Sequence, residues 1–505
     1  MKISEQQIEE IVRGVMQSVA SNGSTGNGSV GNGSVGNFAS TGKGNWKIDD
    51  PQNHPTDEHL HSANELRGLH GIFDTVEEAV EAARVAQRTW IKMPIAQRKI
   101  CVDAMRAAGR ANARKLAEMT VEETGLGRVE DKVIKNQLCS DLTPGWEVLP
   151  TQMFQGDLGL TIDDHFPYGV ICGITPVTNP TSGLINNAII FAIAGNAAVF
   201  CPHPSAKKCT MTTMAIMNDA VAGAGGPRNL FTGVANPTLE TVDAVMRHNA
   251  VRLINATGGP GVVKAALAVG KKAVCAGPGN PPAIVDETAD LENAARSIVN
   301  GASFDNNLLC IGEKAIVVVD SVADALLGAL QRAGAYFARG DEGRKLADYV
   351  VQGDHINREP IGWDAARILR KCGINAPESS KIGVLELPAD HVLVLQEQLL
   401  PIVPLVRARD FQEALGIALR IEGGRGHTLA IHSLDVSRIT AVRNAYQCTV
   451  FVANGSTAAA EGVGGEGFVA MSLAGHTGEG FTTAATFVKR RRAAFVGALG
   501  SGAPI

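Results

Sequence analysis

From Tyr168 onward the chain repeats one pattern: a short run of apolar and β-branched residues, a turn rich in Gly, Pro or Thr, and then a helical stretch. Gly169–Thr175, Ala197–Cys201, Val251–Asn255, Ala283–Val285 and Ala315–Val319 are such runs, and Ala206–Ala222 is one of the helical stretches between them. A strand that is apolar on both faces must be covered on both. Helices inserted between successive strands make those strands parallel, through right-handed crossovers. The pattern predicts an α/β protein with wound parallel sheets, whose ligands bind beyond the carboxyl ends of the strands. Two long helices rich in Ala, Arg and Glu, Val76–Thr89 and Ile95–Thr124, precede it. A chain of 505 residues exceeds one simple core, so two or three lobes are expected.

The first 20 residues follow a different rule. Ile8, Ile11, Val12, Val15, Met16 and Val19 recur at helical spacing and form one apolar stripe, with Glu5, Glu9, Glu10 and Arg13 opposite. Residues 21–45 are nearly all Gly, Ser, Asn and Thr, with Gly-Asn-Gly-Ser-Val at Gly26–Val30 and again at Gly31–Val35. Such a tether reaches about 25 to 30 Å and joins no core. A helix that cannot bury its stripe alone is expected to dock on a partner. The alternatives are folding back on its own domain or lying on a membrane, and the Glu-rich face disfavours the latter.

The formal charge of −5, with no basic stripe and few aromatics, argues against nucleic-acid binding. Nine scattered cysteines without a Cys-x-x-Cys pair argue against both a disulfide framework and a structural zinc, and suit a reducing cytoplasm. No metal site is expected. No apolar run is long enough to span a bilayer, and the N-terminus lacks the order of a secretory signal.

Gly301-Ala-Ser-Phe-Asp-Asn-Asn-Leu-Leu-Cys310-Ile-Gly-Glu-Lys is a polar loop that presents one cysteine just before a buried strand. It resembles the nucleophile loop of the aldehyde dehydrogenase superfamily. Ser303-Phe-Asp-Asn with Cys310-Ile-Gly-Glu-Lys is similar to the CoA-acylating branch, as found in propionaldehyde dehydrogenases of bacterial microcompartments. The resemblance runs from about Val76 to Arg492. It implies the aldehyde dehydrogenase fold, with a cofactor lobe over 46–277, a catalytic lobe over 278–476, and a small oligomerisation element from 152–167 and 477–505 that builds a homodimer or homotetramer. It also implies that Cys310 attacks an aldehyde, that hydride passes to NAD, and that coenzyme A takes the acyl group from the resulting thioester.

The resemblance carries further residues. The turn Ile174-Thr-Pro-Val-Thr-Asn179-Pro corresponds to the one that supplies an oxyanion-stabilising amide. Its register is open: the flanking prolines put Thr178 at the usual amide position, while the only amide is Asn179. We take Asn179 as the catalytic donor and Thr178 as a cofactor contact; a plain turn or helix cap is the rival role for the amide. His203, Pro204 and Ser205 follow a strand and precede a helix where the adenosine ribose and phosphates would lie, and Thr257, Gly258 and Gly259 form a glycine turn suited to pyrophosphate. Glu397 matches the family glutamate that binds the nicotinamide ribose. His427, in Gly423-Gly-Arg425-Gly-His427-Thr, is a candidate to position or deprotonate the CoA thiol.

Hydrolytic members of the superfamily carry their water-activating Glu where this chain reads Cys275-Ala276-Gly-Pro-Gly, and no carboxylate neighbours Ala276 in sequence. The thioester should therefore persist until CoA arrives. The implied substrate is propionaldehyde, then acetaldehyde. The rivals are hydrolysis to a free acid, and an inactive scaffold that recruits shell protein. By the same resemblance the N-terminal helix is an encapsulation peptide binding a microcompartment shell protein. The basic run Lys489-Arg490-Arg491-Arg492 is read as a solvated tail or a subunit interface.

Overall fold

The computed structural model describes residues 70–501. The apolar stripe of residues 1–20 and the tether of 21–45 lie outside the described residues. Among the described residues no helix is long and apolar enough to cross a membrane.

Two parallel sheets organise the rest. The first has six strands in the order Ile72–Phe73, Phe231–Val234, Ala197–Pro202, Val170–Thr175, Val251–Thr257 and Lys272–Ala276. Val170–Thr175 sits where the winding reverses, with the earlier crossover on one side and the later on the other, so a crevice opens beyond its carboxyl end. The helix that follows it, Pro180–Ile193, is buried along its whole length. The second sheet has seven parallel strands: Ala335–Phe337, Ile382–Glu386, Ile402–Ala408, Ala315–Val319, Pro282–Val285, Thr428–His432 and Val450–Ala453.

The link between the sheets decides where chemistry can occur. Residues 277–281 leave the carboxyl end of Lys272–Ala276 and enter the amino end of Pro282–Val285. Cys310 precedes Ala315–Val319, Glu397 precedes Ile402–Ala408, and His427 immediately precedes Thr428–His432. The second lobe therefore contributes the amino ends of its strands, not the carboxyl ends that the strand–helix alternation predicts for every sheet. The strand direction carries through the connecting loop, so the carboxyl ends of one sheet are continuous with the amino ends of the next.

Ile95–Thr124 is two helices, Ile95–Ala111 and Ala113–Thr124, and not the single one predicted. Asn112 sits between them with φ −101° and ψ 8°, and its amide donates to the Ala108 carbonyl at 2.9 Å, a local bond that competes with helix continuation. After Ala453 the chain returns to the first core, where Phe487 meets Phe191 edge-on at 4.7 Å and accepts a bond from Asn196 at its carbonyl. A third, antiparallel sheet joins Gln152–Gly156, Gly159–Pro167 and Val488–Val496. In it the basic run is paired: Arg491 and Arg492 face Asp164 and Asp163 across the strands and bind their carboxylates.

Candidate active site

The nucleophile loop is held in an unusual backbone. Asp305, Asn306 and Asn307 all have positive φ, at 48°, 55° and 62°. Each left-handed residue that is not Gly costs roughly 1 kcal/mol, least for Asn and Asp, so the surroundings must fix the loop. They do so from the buried side. Lys314, fully buried, donates from Nζ to the Asn307 carbonyl at 2.6 Å, the Asn307 side-chain oxygen at 2.7 Å and the Leu309 carbonyl at 3.0 Å. Asn306 donates to the Gly362 carbonyl at 2.8 Å. The loop thus delivers Cys310 partly exposed, whereas six of the other eight cysteines are buried.

Three candidates converge on Gly279. A Cβ placed there would lie 2.6 Å from the Cys310 carbonyl oxygen and 2.8 Å from His427 Nδ1, so the absence of a side chain lets the loop, the histidine and this strand entry meet. Glu397 joins them by accepting from the Gly279 N–H at 3.3 Å. His427 is buried. Its Nδ1 bonds Thr428 Oγ1 at 2.8 Å, and its Nε2 has no partner. Burial, with Lys314, His476 and Arg425 nearby, pushes its pKa down to about 4, so the ring is neutral at pH 7. The Cys310 thiol is pushed up to about 12, by burial first and then by Glu397 and Glu461, with Lys314 opposing. In this form it is a thiol and not a thiolate.

Asn179 precedes the buried helix Pro180–Ile193 but makes no side-chain cap, which removes the plain-cap role. Its Oδ1 accepts from Lys135 Nζ at 2.6 Å and its Nδ2 donates to Thr178 Oγ1 at 3.2 Å. Lys135 also pairs with Asp305 of the nucleophile loop, as does Lys132 at 2.9 Å, and all three charged side chains are nearly or fully buried. Burial opposes ionisation of Asp305, yet Lys135 and Lys132 hold its carboxyl below the ordinary value. Lys132 is pushed down to about 8, by burial and by Lys135. A lysine ammonium donates only, so Lys135 fixes Oδ1 as the acceptor and leaves the Asn179 amide hydrogens facing away from it.

On the first sheet the candidates sit at three adjacent strand ends. His203, Pro204 and Ser205 are exposed after Ala197–Pro202, with His203 Nδ1 accepting from the Ser205 N–H at 3.2 Å. The helix start beyond them does not suit a phosphate as expected: Glu123 occupies it, accepting from the N–H groups of Lys208 and Cys209 at 2.7 and 2.8 Å. Thr257 Oγ1 lies 3.0 Å from Ser472 Oγ, and the Gly258 N–H donates to the Ala276 carbonyl at 3.1 Å. Helix Pro260–Ala268 starts after Gly259 with no side-chain cap, and the space at Gly259 and Gly261 is open. Pro260 has no N–H and Val262 donates to the Gly259 carbonyl at 3.1 Å, which leaves the Gly261 N–H and the partial positive charge of the helix start to meet a pyrophosphate. Ala276 is buried, and the neighbouring Gly277 lies against the His476 ring.

The sequence and fold match known proteins. The profile of the aldehyde dehydrogenase family matches residues 71–359. An acetaldehyde dehydrogenase (acetylating) of Salmonella typhimurium is 42% identical over 435 residues, 85% of this chain and 93% of that protein. The chain belongs to the aldehyde dehydrogenase family. Solved structures agree: a Rhodopseudomonas palustris propionaldehyde dehydrogenase with bound CoA and an acylated cysteine has TM-score 0.84 and 41% identity over 86% of this chain and 100% of that one. A propionaldehyde dehydrogenase from the fucose utilisation microcompartment of Clostridium phytofermentans has TM-score 0.83 and 42% identity, over 84% and 98%.

Several residues at the site of this aldehyde dehydrogenase escaped the sequence reading. Lys132 and Lys135 lie on the buried stripe of helix Val129–Leu142 with Asn136, Cys139 and Ser140, and a polar residue recurring on an inward stripe was the available signal. Glu461 and Glu313 carried none. Ala276 has no carboxylate beside it in sequence, but the fold brings Glu397 and Glu461 close enough to Cys310 to shift its thiol.

Proposed function

We propose that this enzyme oxidises a short-chain aldehyde, with propionaldehyde ahead of acetaldehyde, to its acyl-CoA with reduction of NAD, through a thioester on Cys310. The observation that carries the reading is the meeting of the Cys310 backbone and a neutral His427 at Gly279; by resemblance, Ala276 lies at or next to the position where hydrolytic members keep their base. We assign the cofactor lobe to 46–277 and the catalytic lobe to 278–476.

The residues divide the work. Thr257, Gly258 and Gly259 hold the pyrophosphate at an uncapped helix start; His203, Pro204 and Ser205 face the adenosine end; Thr178 and Glu397 orient the nicotinamide half. Bound there, the oxidised nicotinamide supplies a positive ring and accepts the hydride. Cys310 gives up its proton to solvent as its sulfur bonds to the carbonyl carbon and the carbonyl π pair moves onto oxygen, and the resulting oxyanion is held by the Cys310 N–H and the Asn179 amide. Loss of hydride from that carbon leaves the thioester on Cys310. The CoA sulfur then bonds to the acyl carbon, its proton passes to His427 Nε2, the bond to Cys310 Sγ breaks, and the departing sulfur takes that proton to restore the resting thiol and the neutral ring.

Purified enzyme given propionaldehyde and NAD should form NADH only when CoA is present, with propionyl-CoA as the product by mass spectrometry. Equal turnover to propionate without CoA would overturn the reading. One observation favours that rival: Glu461 is a buried carboxyl near Cys310.

Two assembly roles belong to the same reading. Exposed Met153, Phe154, Phe166, Phe495 and Val496 lie on the third sheet, whose outer strands offer unpaired edges, which supports a homodimer or homotetramer built there. Residues 1–20 would dock on a shell protein and place the enzyme inside a cytoplasmic microcompartment. Fusing them to a fluorescent cargo should carry that cargo into assembled shells.

A further inference from the structure

The buried charges beside the nucleophile loop do not balance. Lys132 and Lys135 lie one turn apart on helix Val129–Leu142, and both place Nζ on the same oxygen of Asp305, Lys132 at 2.9 Å. Each lysine is 2% exposed and Asp305 is fully buried. Two ammonium groups on one carboxylate leave one positive charge in excess, shielded from bulk water. Asp131 does not cancel it, because Arg128 takes that carboxylate at 2.7 Å.

The excess charge lies between the two parts of the reacting centre. Asp305 belongs to the loop that presents Cys310. Opposite it, Lys135 donates to Asn179 Oδ1 at 2.6 Å and Lys132 donates to the Thr178 carbonyl at 3.4 Å. Lys135 alone ties the loop to the turn, since it reaches both Asp305 and Asn179. Lys132 repeats the tie and adds a charge whose burial is unfavourable. Burial and the Lys135 charge, with Asp305 opposing, bring its pKa down from 10.5 to about 8. The unfolded chain therefore holds that proton more tightly than the native fold does. This group lowers stability below pH 8, and the loss is relieved as pH rises from about 8 towards 10.5.

We infer that Lys132 keeps the Thr178–Asn179 turn one positive charge in excess, and that this charge meets the negative charge formed on the aldehyde oxygen when Cys310 attacks. It is a positioning residue, acting through the turn and through the charge that Asp305 leaves unpaired. A charge fixed in a water-excluded site needs no reorganisation when the oxyanion forms, and it is felt further there than in water. The groups that act on Lys132 are Lys135 on its own helix, Asp305 on the loop and Cys209 on helix Lys207–Gly223. Helix Pro180–Ile193 has no ionisable side chain. On the other two helices packed against Val129–Leu142, Arg114 pairs with Glu130, Glu123 holds the N–H groups of Lys208 and Cys209, and Arg106 and Arg110 bond at residues 140–143. The inference rests on the acylating reading, with Asn179 as the donor, and assigns it a further residue.

The test measures kcat, KM and melting temperature from pH 6 to about pH 10 for the native enzyme, Lys132→Gln and Lys132→Arg, with the product identified by mass spectrometry. Glutamine keeps a donor without the charge, and arginine keeps the charge at every pH used. At pH 7 the kcat of Lys132→Gln should be about tenfold below native, with KM for NAD hardly changed and the melting temperature equal or higher. The ratio of native to Lys132→Gln kcat should then fall towards one as pH rises through about 8, where Lys132 itself loses its charge. Taking the ratio cancels every group the two enzymes share, including Lys314, the other buried lysine brought down to about 8. Lys132→Arg should keep its advantage over Lys132→Gln across the whole range, and should gain on the native enzyme above pH 8. That last comparison decides alone if the glutamine variant does not fold.

The inference fails if Lys132→Gln keeps native kcat at pH 7, or if the ratio of native to variant does not change with pH, as a purely structural tie requires. A lowered melting temperature with kcat per folded enzyme intact would sink it too. Free acid as the product of the native enzyme would overturn the acylating reading alone, because the oxyanion forms before the thioester meets CoA or water.

Discussion

The two sheets build their halves of the site by opposite means. At the carboxyl ends of the first, the candidate cofactor residues are mostly exposed or half-exposed, and the glycine turn offers backbone N–H groups at an uncapped helix start. At the amino ends of the second, Cys310, Glu397 and His427 crowd Gly279 above a fully buried Lys314. A backbone cradle binds a ligand by shape and the helix dipole. A cluster of desolvated side chains sets protonation states and holds a nucleophile. Substitutions in the first half should weaken cofactor binding, and those in the second should slow chemistry.

The hardest attempt to break that division is Cys310→Ser. Aldehyde-dependent NADH formation should fall by about ten-thousandfold or more, because no other residue in the cluster forms the thioester. NAD binding by calorimetry should remain near native. Retained turnover would remove Cys310 as the nucleophile. The state of the thiol is testable by alkylation: with its pKa near 12, the rate should climb about tenfold per pH unit from pH 7 to 9 without levelling, since the thiolate fraction keeps rising below the pKa. A rate that is half-maximal near pH 8.5 and levels off about one pH unit above would mean an unperturbed cysteine.

Lys135→Met tests the tie between the halves. Without Lys135, Asn179 Oδ1 loses its donor and the amide is free to flip, so kcat should drop about a hundredfold, the scale of one lost oxyanion donor. KM for NAD should hardly change. A purely structural role would instead lower the melting temperature while leaving kcat per folded enzyme intact.

How much of this was legible in the sequence follows from the same contrast. Ala315–Val319 has the bounds expected, and Val170–Thr175 and Val251–Thr257 differ by one or two residues, because a strand buried on both faces writes itself as a continuous apolar run. The glycine turn and Cys310 loop were visible as local motifs. The Lys132–Lys135–Asp305 pairing was not, since Asp305 lies about 170 residues from either lysine and only folding brings them together. Glu123 was missed for the same reason: nothing local says that a helix start is filled by a carboxylate from far upstream. The end of Ile95–Ala111 turned on one Asn side chain, below what helical periodicity resolves.

Gly279→Ala and Gly259→Ala sharpen the comparison with the same added methyl group. At Gly279 the methyl meets a backbone carbonyl that cannot swing aside, so the loop or the strand entry must shift and kcat should fall about tenfold or more. At Gly259, with φ −67° and open space, the protein should tolerate the methyl without loss of melting temperature. There it intrudes only where the pyrophosphate would rest, and KM for NAD should rise about tenfold at unchanged kcat. Equal effects on kcat from both would dissolve the distinction between the two halves.

The smallest effect concerns cofactor choice. Glu123 puts a carboxylate against the first N–H groups of helix Lys207–Gly223, beside the turn of His203 and Ser205. A phosphate on the adenosine ribose would compete with that carboxylate for the same donors and be repelled by its charge, so the native enzyme should prefer NAD to NADP. Glu123→Ala removes the repulsion and bares the helix start. The ratio of kcat/KM for NAD over NADP should then narrow by a few-fold, at the cost of about 1 kcal/mol for the lost cap. A ratio that does not move, with the expected drop in melting temperature, would mean that the adenosine end lies away from His203 and Ser205.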